Sequence, residues 1–279
     1  LVWRSGSDQT HPPQLRLSVI NLNAADHRSA AEAMRDASLL LQRRIDLGEA
    51  VHFFHRGFAQ QAALDSVVLR QVLQWIDTGH PPMAYQPKCH LSTLQVEGAE
   101  ALLRPLPIDA HPVSPSHVLA VAARHQLLPA LEWSTVLAVV RDAQRCWTEA
   151  PGLSLSVNIS GASLSTPGFA ERVQTLLQDA GLPPSVLTME LTEASPLPDV
   201  ESVKTNLRGL QACGIALSLD DFGSGYSGLS VLARHPFDEV KIDQHMVALI
   251  DVPRMKSAIQ IALDTARHYD ARFVAEGVE

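Results

Sequence analysis

The sequence predicts an α/β fold of the (β/α)-barrel kind over residues 83–279, preceded by a small α+β segment. Three observations predict it. From Met83 onward, strand-like runs alternate with helix-like runs, the pattern of a parallel sheet crossed by helices. Within those strands, large apolar residues hold one parity and small residues the other, so one face packs on helices and the other lines an interior. The small parity ends in a polar or charged residue at the C-terminal end of the strand, where barrel enzymes keep their sites.

In chain order, residues 15–20 alternate like a strand, and residues 51–54 form a second short one. Between them Ala30, Met34, Ala37, Leu41 and Ile45 recur at three- and four-residue steps, which predicts a helix over 29–47 stopped by Gly48. Leu64, Val68, Val72 and Trp75 stripe a second helix over 58–76, which Thr78-Gly79-His80-Pro81-Pro82 ends. The expected organisation is an N-terminal segment over 1–64, a linker helix and boundary over 65–82, and the barrel domain over 83–279. Its strands are 83–88, 97–104, 153–160, 187–192, 215–222, 239–243 and 272–278. Helices are expected at 116–125, 131–147, 168–180, 200–213, 226–234 and 254–269. Only residues 90–96 separate the first two strands, so these should pair antiparallel. A closed barrel of this kind needs one more strand, so the sequence is expected to stop before the last one.

Bulk properties narrow the chemistry. With a formal net charge of -8, the chain has no electrostatic footprint for duplex DNA or RNA, although a small anionic nucleotide remains open to it if cations assist. No apolar run approaches the roughly eighteen residues of a membrane span. The first residues do not resemble a signal peptide. Cys89, Cys146 and Cys213 form neither a zinc spacing nor a disulfide framework, and are expected to be small buried or half-buried residues in a reducing cytoplasm.

The inward parity places Asn158, Glu190, Asp220 and Lys241 at one mouth, joined by Glu100 and Glu276, with Asp221 at the rim. Five carboxylates this close repel, and each is costly to desolvate without a cation. One Lys cannot neutralise five. Oxygen-rich clusters suit Mg2+, Mn2+ or Ca2+ rather than zinc. Two such ions can clamp an in-line displacement at phosphorus.

These residues fall in recognisable motifs. Glu100-Ala101-Leu102-Leu103-Arg104 resembles the signature that names the EAL family, and Tyr85-Gln86-Pro87 resembles its first strand. Ser156-Val157-Asn158-Ile159-Ser160, Glu190-Leu191-Thr192-Glu193, Asp220-Asp221-Phe222-Gly223-Ser224-Gly225-Tyr226-Ser227, Val240-Lys241-Ile242-Asp243 and Ala275-Glu276-Gly277-Val278-Glu279 follow in the family's order. The resemblance implies a TIM-like (β/α) barrel with its first strand antiparallel. It implies hydrolysis of cyclic di-GMP to linear pGpG with two Mg2+ or Mn2+ ions.

Carried over residue by residue, the resemblance makes Glu100, Asn158, Glu190 and Asp220 metal ligands. Asp221 would help hold the second ion, and Glu276 would be a ligand or water-orienting carboxylate. Lys241 would orient the attacking water or stabilise phosphate charge. Glu193 would brace the loop 220–226. Arg104 would contact a substrate phosphate, and Gln86 the nucleotide.

The sequence departs from the family at Pro105-Leu106-Pro107-Ile108-Asp109-Ala110-His111-Pro112 and at Ala122-Ala123-Arg124, where a helix usually carries a Glu. These changes bear on nucleotide affinity. The alternatives are a catalytically inactive cyclic di-GMP receptor, or a signalling scaffold acting through the helix 58–76. The first segment resembles the tail of a GGDEF domain, but it lacks the Gly-Gly-Asp-Glu-Phe motif, so no cyclase activity is assigned to it. The resemblance further implies a homodimer through the EAL domain and an upstream sensory or GGDEF module.

Overall fold

A computed structural model of the chain describes residues 17–19, 34, 51–53, 56–107, 112–193, 197–223 and 228–278, with 17–19, 51–53 and 56–60 as backbone. The chain forms two compact units, Leu1–Val68 and Leu69–Glu279. In the first, β1 (Leu17–Val19) pairs in parallel with β2 (Val51–Phe53). The helix expected over 29–47 lies outside the described residues, except for a helical Met34. Helix α1 (Arg56–Thr78) contains the division between the units. Gly79 ends it at φ +65°, its N–H donating to the Trp75 carbonyl at 2.8 Å. Glycine takes that left-handed turn without steric cost.

The second unit is built on one seven-stranded sheet in chain order. Its strands are β3 (Met83–Cys89), β4 (Val96–Leu103), β5 (Ser154–Asn158), β6 (Leu187–Thr192), β7 (Ala216–Phe222), β8 (Glu239–Ile242) and β9 (Arg272–Ala275). The β3–β4 pair is antiparallel and every later pair parallel. The crossovers carry α2 (Pro115–Arg124), α3 (Leu128–Cys146), α4 (Gly161–Leu164), α5 (Phe169–Asp179), α6 (Glu201–Ala212), α7 (Gly228–Arg234), α8 (Gln244–Ala248) and α9 (Pro253–His268). Sequence patterning did not signal α4 and α8. Both are single turns, capped by Ser160 and Asp243, and those caps end β5 and β8 earlier than expected.

The apolar parity packs outward. Leu155, Val157, Met189, Leu191, Leu217, Leu219, Val240 and Ile242 are buried in one cluster with Val139, Leu177, Leu207 and Leu210 from the helices. Burying each such side chain contributes about 1.5–3 kcal/mol, so this face sets the register of the strands. Buried Asn206 on α6 is satisfied as well: it accepts from the Ala170 N–H and donates to the Leu164 and Thr166 carbonyls.

The sheet is strongly curled. In a flat sheet β4 and β8, four neighbours apart, would lie roughly 19 Å from each other. Yet Lys241 of β8 reaches Glu100 of β4 at 2.8 Å, and Lys88 of β3 reaches Glu239 of β8 at 2.8 Å. The seven described strands of this unit therefore form an open barrel with an interior, one strand short of a closed eight. Two cysteines correct the sequence expectation: Cys89, at the irregular end of edge strand β3, and Cys146, in the last turn of α3, are exposed, and only Cys213 is half-buried.

Candidate metal centre at the barrel mouth

Register brings the predicted residues together. Asn158 lies opposite Glu190, and Glu100 opposite Ser156, so neighbouring strands deliver their polar ends to the same side. Strand β7 adds two consecutive carboxylates, because its pairing with β8 shifts between Leu219 and Phe222. There Asp221 turns to φ +56°, and its N–H donates to Asp220 Oδ1 at 2.9 Å. A bulge of this kind re-aims side chains that would otherwise alternate faces, and Asp tolerates the left-handed conformation better than most residues.

Among the described residues, one ligand oxygen each from Glu100, Glu190 and Asp220 lie within 4.8 Å of one another, as do one each from Asp220, Asp221 and Glu276. The two groups share Asp220. Lys241, 1% exposed, sits among them: its Nζ is 2.8 Å from Glu100, 2.9 Å from Glu190, 3.1 Å from Asp220 and 2.7 Å from Glu276. An ammonium has three protons, so it cannot donate fully to four carboxylates. Asn158 Nδ2 donates to Glu100 Oε1 at 2.8 Å, which leaves its own carbonyl oxygen available as a ligand.

The electrostatics follow from crowding and burial. Burial pushes the Glu100 carboxyl above its usual range, reinforced by Glu190 and opposed by Lys241. Burial also raises Asp220, against Lys241 and with Glu276 and Glu190 adding. Asp221 is raised by burial, Asp220 and Asp243, and Glu276 by burial against Lys241. Glu190 differs: burial would raise it, yet Lys241 and Lys88 together hold it below the usual range. Burial alone would lower Lys241, but Glu190, Asp220, Glu100 and Glu276 drive it upward, so it stays charged. The centre is thus short of positive charge, with oxygen donors and neither Cys nor His in either group. That donor set fits hard divalent cations.

The remaining predicted residues lie around this centre. Glu193 accepts from the Gly223 N–H at 2.8 Å and the Gly228 N–H at 2.7 Å, the two described ends of the loop after β7. Residues 224–227 of that loop, and 108–111 of the divergent segment, lie outside the described residues. Gln86, opposite Glu100 in register, and Arg104 are exposed, and Arg104 donates to the Leu103 carbonyl.

Two groups went unpredicted. Lys88 and Glu239 form a second charged layer in the interior, although Lys88 shares the parity of Gln86 and Glu239 that of Lys241. Buried Glu132 on α3 accepts from the Ser160 N–H at 3.0 Å, from Ser160 Oγ at 2.9 Å and from Ser163 Oγ, fastening the loop that follows Asn158. Burial raises its carboxyl, and these hydrogen bonds oppose the rise.

A family model described as EAL domain matches residues 61–279. The chain is 31% identical over 219 residues to the cyclic di-GMP phosphodiesterase RocR of Pseudomonas aeruginosa, covering 78% of this chain and 55% of that protein. Among solved structures it resembles the PaMucR phosphodiesterase in a c-di-GMP complex, with a TM-score of 0.67 and 29% identity over 76% of this chain and 87% of that one. It also resembles the manganese/cy-diGMP complex of Klebsiella pneumoniae BlrP1, with a TM-score of 0.60 and 26% identity over 72% of this chain and 50% of that one. The chain spans between 24% and 55% of the length of the first curated relatives it matches. With its barrel, its strand-end carboxylates and a family match over most of its length, the chain belongs to the EAL domain family.

Proposed function

We propose that this domain hydrolyses cyclic di-GMP to linear pGpG with two divalent ions, Mg2+ or Mn2+. The observation that carries the proposal is the pair of carboxylate groups that share Asp220. Glu100, Asn158, Glu190 and Asp220 would hold one ion; Asp220, Asp221 and Glu276 would hold the other. When bound, such ions stabilise the charge that develops at phosphorus and supply an acidified water.

The chain's own residues do the rest. Water adds to one phosphorus, one ring P–O bond breaks, and the leaving oxygen takes up a proton to give a free 3′-hydroxyl. Lys241, held charged by its carboxylates, would donate N–H toward the attacking water or a phosphate oxygen once bound ions draw those carboxylates away from it. Glu193 braces the loop 220–226 through Gly223 and Gly228. Arg104 contacts a substrate phosphate and Gln86 the nucleotide. On this proposal the organisation is 1–64, a segment resembling a GGDEF tail, then the linker 65–82 and the hydrolase 83–279. The domain works in the cytoplasm, pairs as a homodimer, and answers to an upstream sensory or GGDEF module. Among the described residues no helix is long and apolar enough to cross a membrane.

The test is chromatographic detection of pGpG from cyclic di-GMP with Mn2+, beside Glu100→Ala. Turnover in the unsubstituted chain and none in the variant is the expected result. Equal rates in both, or no turnover, would end the proposal, and tight nucleotide binding without turnover would point to a receptor instead.

A further inference from the structure

Beneath the mouth lies a second cation whose bonding is complete. Lys88 starts on edge strand β3, opposite Gly98, which brings no side chain to its path. Its ammonium donates to Ser156 Oγ at 2.7 Å on β5, to Glu190 Oε1 at 2.7 Å on β6 and to Glu239 Oε1 at 2.8 Å on β8. Three acceptors match three ammonium protons, so no donor remains for a substrate. Glu239 is itself fixed: Ser218 Oγ donates to its Oε1 at 3.0 Å, and Arg272 Nη2 stands 3.3 Å from its Oε2. Ser156 of β5 and Glu239 of β8, the latter fixed from β7 and β9, thus hold Lys88 against Glu190 of β6.

The consequence falls on Glu190. Fully buried, it has one oxygen taken by Lys88 from below, which leaves only Oε2 for the mouth, where Lys241 stands at 2.9 Å. We infer that Lys88 is a positioning residue for the metal centre: it anchors Glu190 Oε1 so that Oε2 alone is presented to a divalent ion shared with Glu100 and Asp220. Without Lys88, Glu190 is free to turn both oxygens toward Lys241, and ligand geometry is lost before any ion arrives. Groups that orient metal ligands commonly set affinity by ~10–100-fold, although they touch no metal.

The inference rests on the proposed function, and the experiment separates the two. Mn2+ binding is measured by calorimetry on the full chain, on Lys88→Met and on Lys88→Met/Glu239→Gln, with melting temperatures alongside. The single variant leaves Glu190 and Glu239 short of positive charge, so it can lose stability for that reason alone. The double variant removes one negative charge with the positive one. The expected result is that the melting temperature of the double variant recovers toward that of the unsubstituted chain, while its Mn2+ dissociation constant stays raised about 10–100-fold. Affinity that recovers together with stability would overturn the inference, because Lys88 would then serve only to neutralise charge. If the unsubstituted chain binds no Mn2+, the metal-centre proposal and this inference fall together.

Discussion

The mouth of the barrel and the pocket around Glu132 both bury carboxylates, and they settle them in opposite ways. Glu132 stands alone and accepts three hydrogen bonds from Ser160 and Ser163. All three reach its Oε2, and through them it fastens a loop. Glu100, Asp220, Asp221 and Glu276 are packed against one another and Glu190, with Lys241 as the cation common to both groups; burial raises them as it raises Glu132, but here neighbouring carboxylates raise each of the four further. What separates the two is whether the fold supplies donors or only further negative charge. Glu132 is given its donors by the fold. The mouth is left with repulsion that only added positive charge relieves.

The largest effect expected of this contrast is catalytic. Asp220→Asn, which changes the ligand common to both groups, should lower kcat/KM for cyclic di-GMP by roughly a hundredfold to ten-thousandfold. The same substitution removes a crowded negative charge, so the metal-free melting temperature should hold or rise. A large fall in metal-free stability would break the contrast, since it would make Asp220 as structural as Glu132.

Glu193→Ala should come next, with activity down about 10–100-fold through loosening of the loop after β7, and with circular dichroism unchanged. Glu132→Ala belongs to the other region. It orphans donors around Ser160 and Ser163, and should cost about 1–3 kcal/mol in urea unfolding while Mn2+ affinity changes less than in the mouth variants.

The smallest effect concerns pH. Burial raises Glu132 in the folded chain, so its stabilising contribution is complete below the unfolded carboxylate pKa and is lost as pH rises through the folded value. Glu132→Gln keeps an acceptor and cannot ionise. Its stability relative to the unsubstituted chain should therefore improve as pH rises from the acid side toward neutrality. A difference that stays flat with pH would show that the Glu132 carboxyl is not raised.

Much of the barrel was legible because two simple signals agreed. The alternation in Leu187–Thr192 and Ala216–Phe222 gave both the buried face and the strand ends that meet at the mouth. The short His90-to-Val96 connection gave the antiparallel first pair. Lys88 was not legible, because its strand lies at the sheet edge and its partners are supplied by the curl of strands far along the chain. Parity alone marks Lys88 as inward, but only the distance across the interior shows what it meets. Glu132 sits among apolar residues of α3, where helical periodicity records a buried stripe and cannot reveal the two serines that satisfy it. The kink at Asp221 is a backbone event, and Asp-Asp before Phe-Gly carries no parity that foretells both carboxylates turning to one side.

On the proposed function, these acidic oxygens converge to hold two ions. Diffraction from Mn2+-soaked crystals, read at the manganese absorption edge, tests it most directly. Two anomalous peaks about 3.5–4 Å apart are predicted, one within reach of Glu100, Asn158, Glu190 and Asp220, the other of Asp220, Asp221 and Glu276. A mouth with no peak, while Lys241 keeps all four carboxylates, would mean that the centre is an ion-pair network and not a metal site.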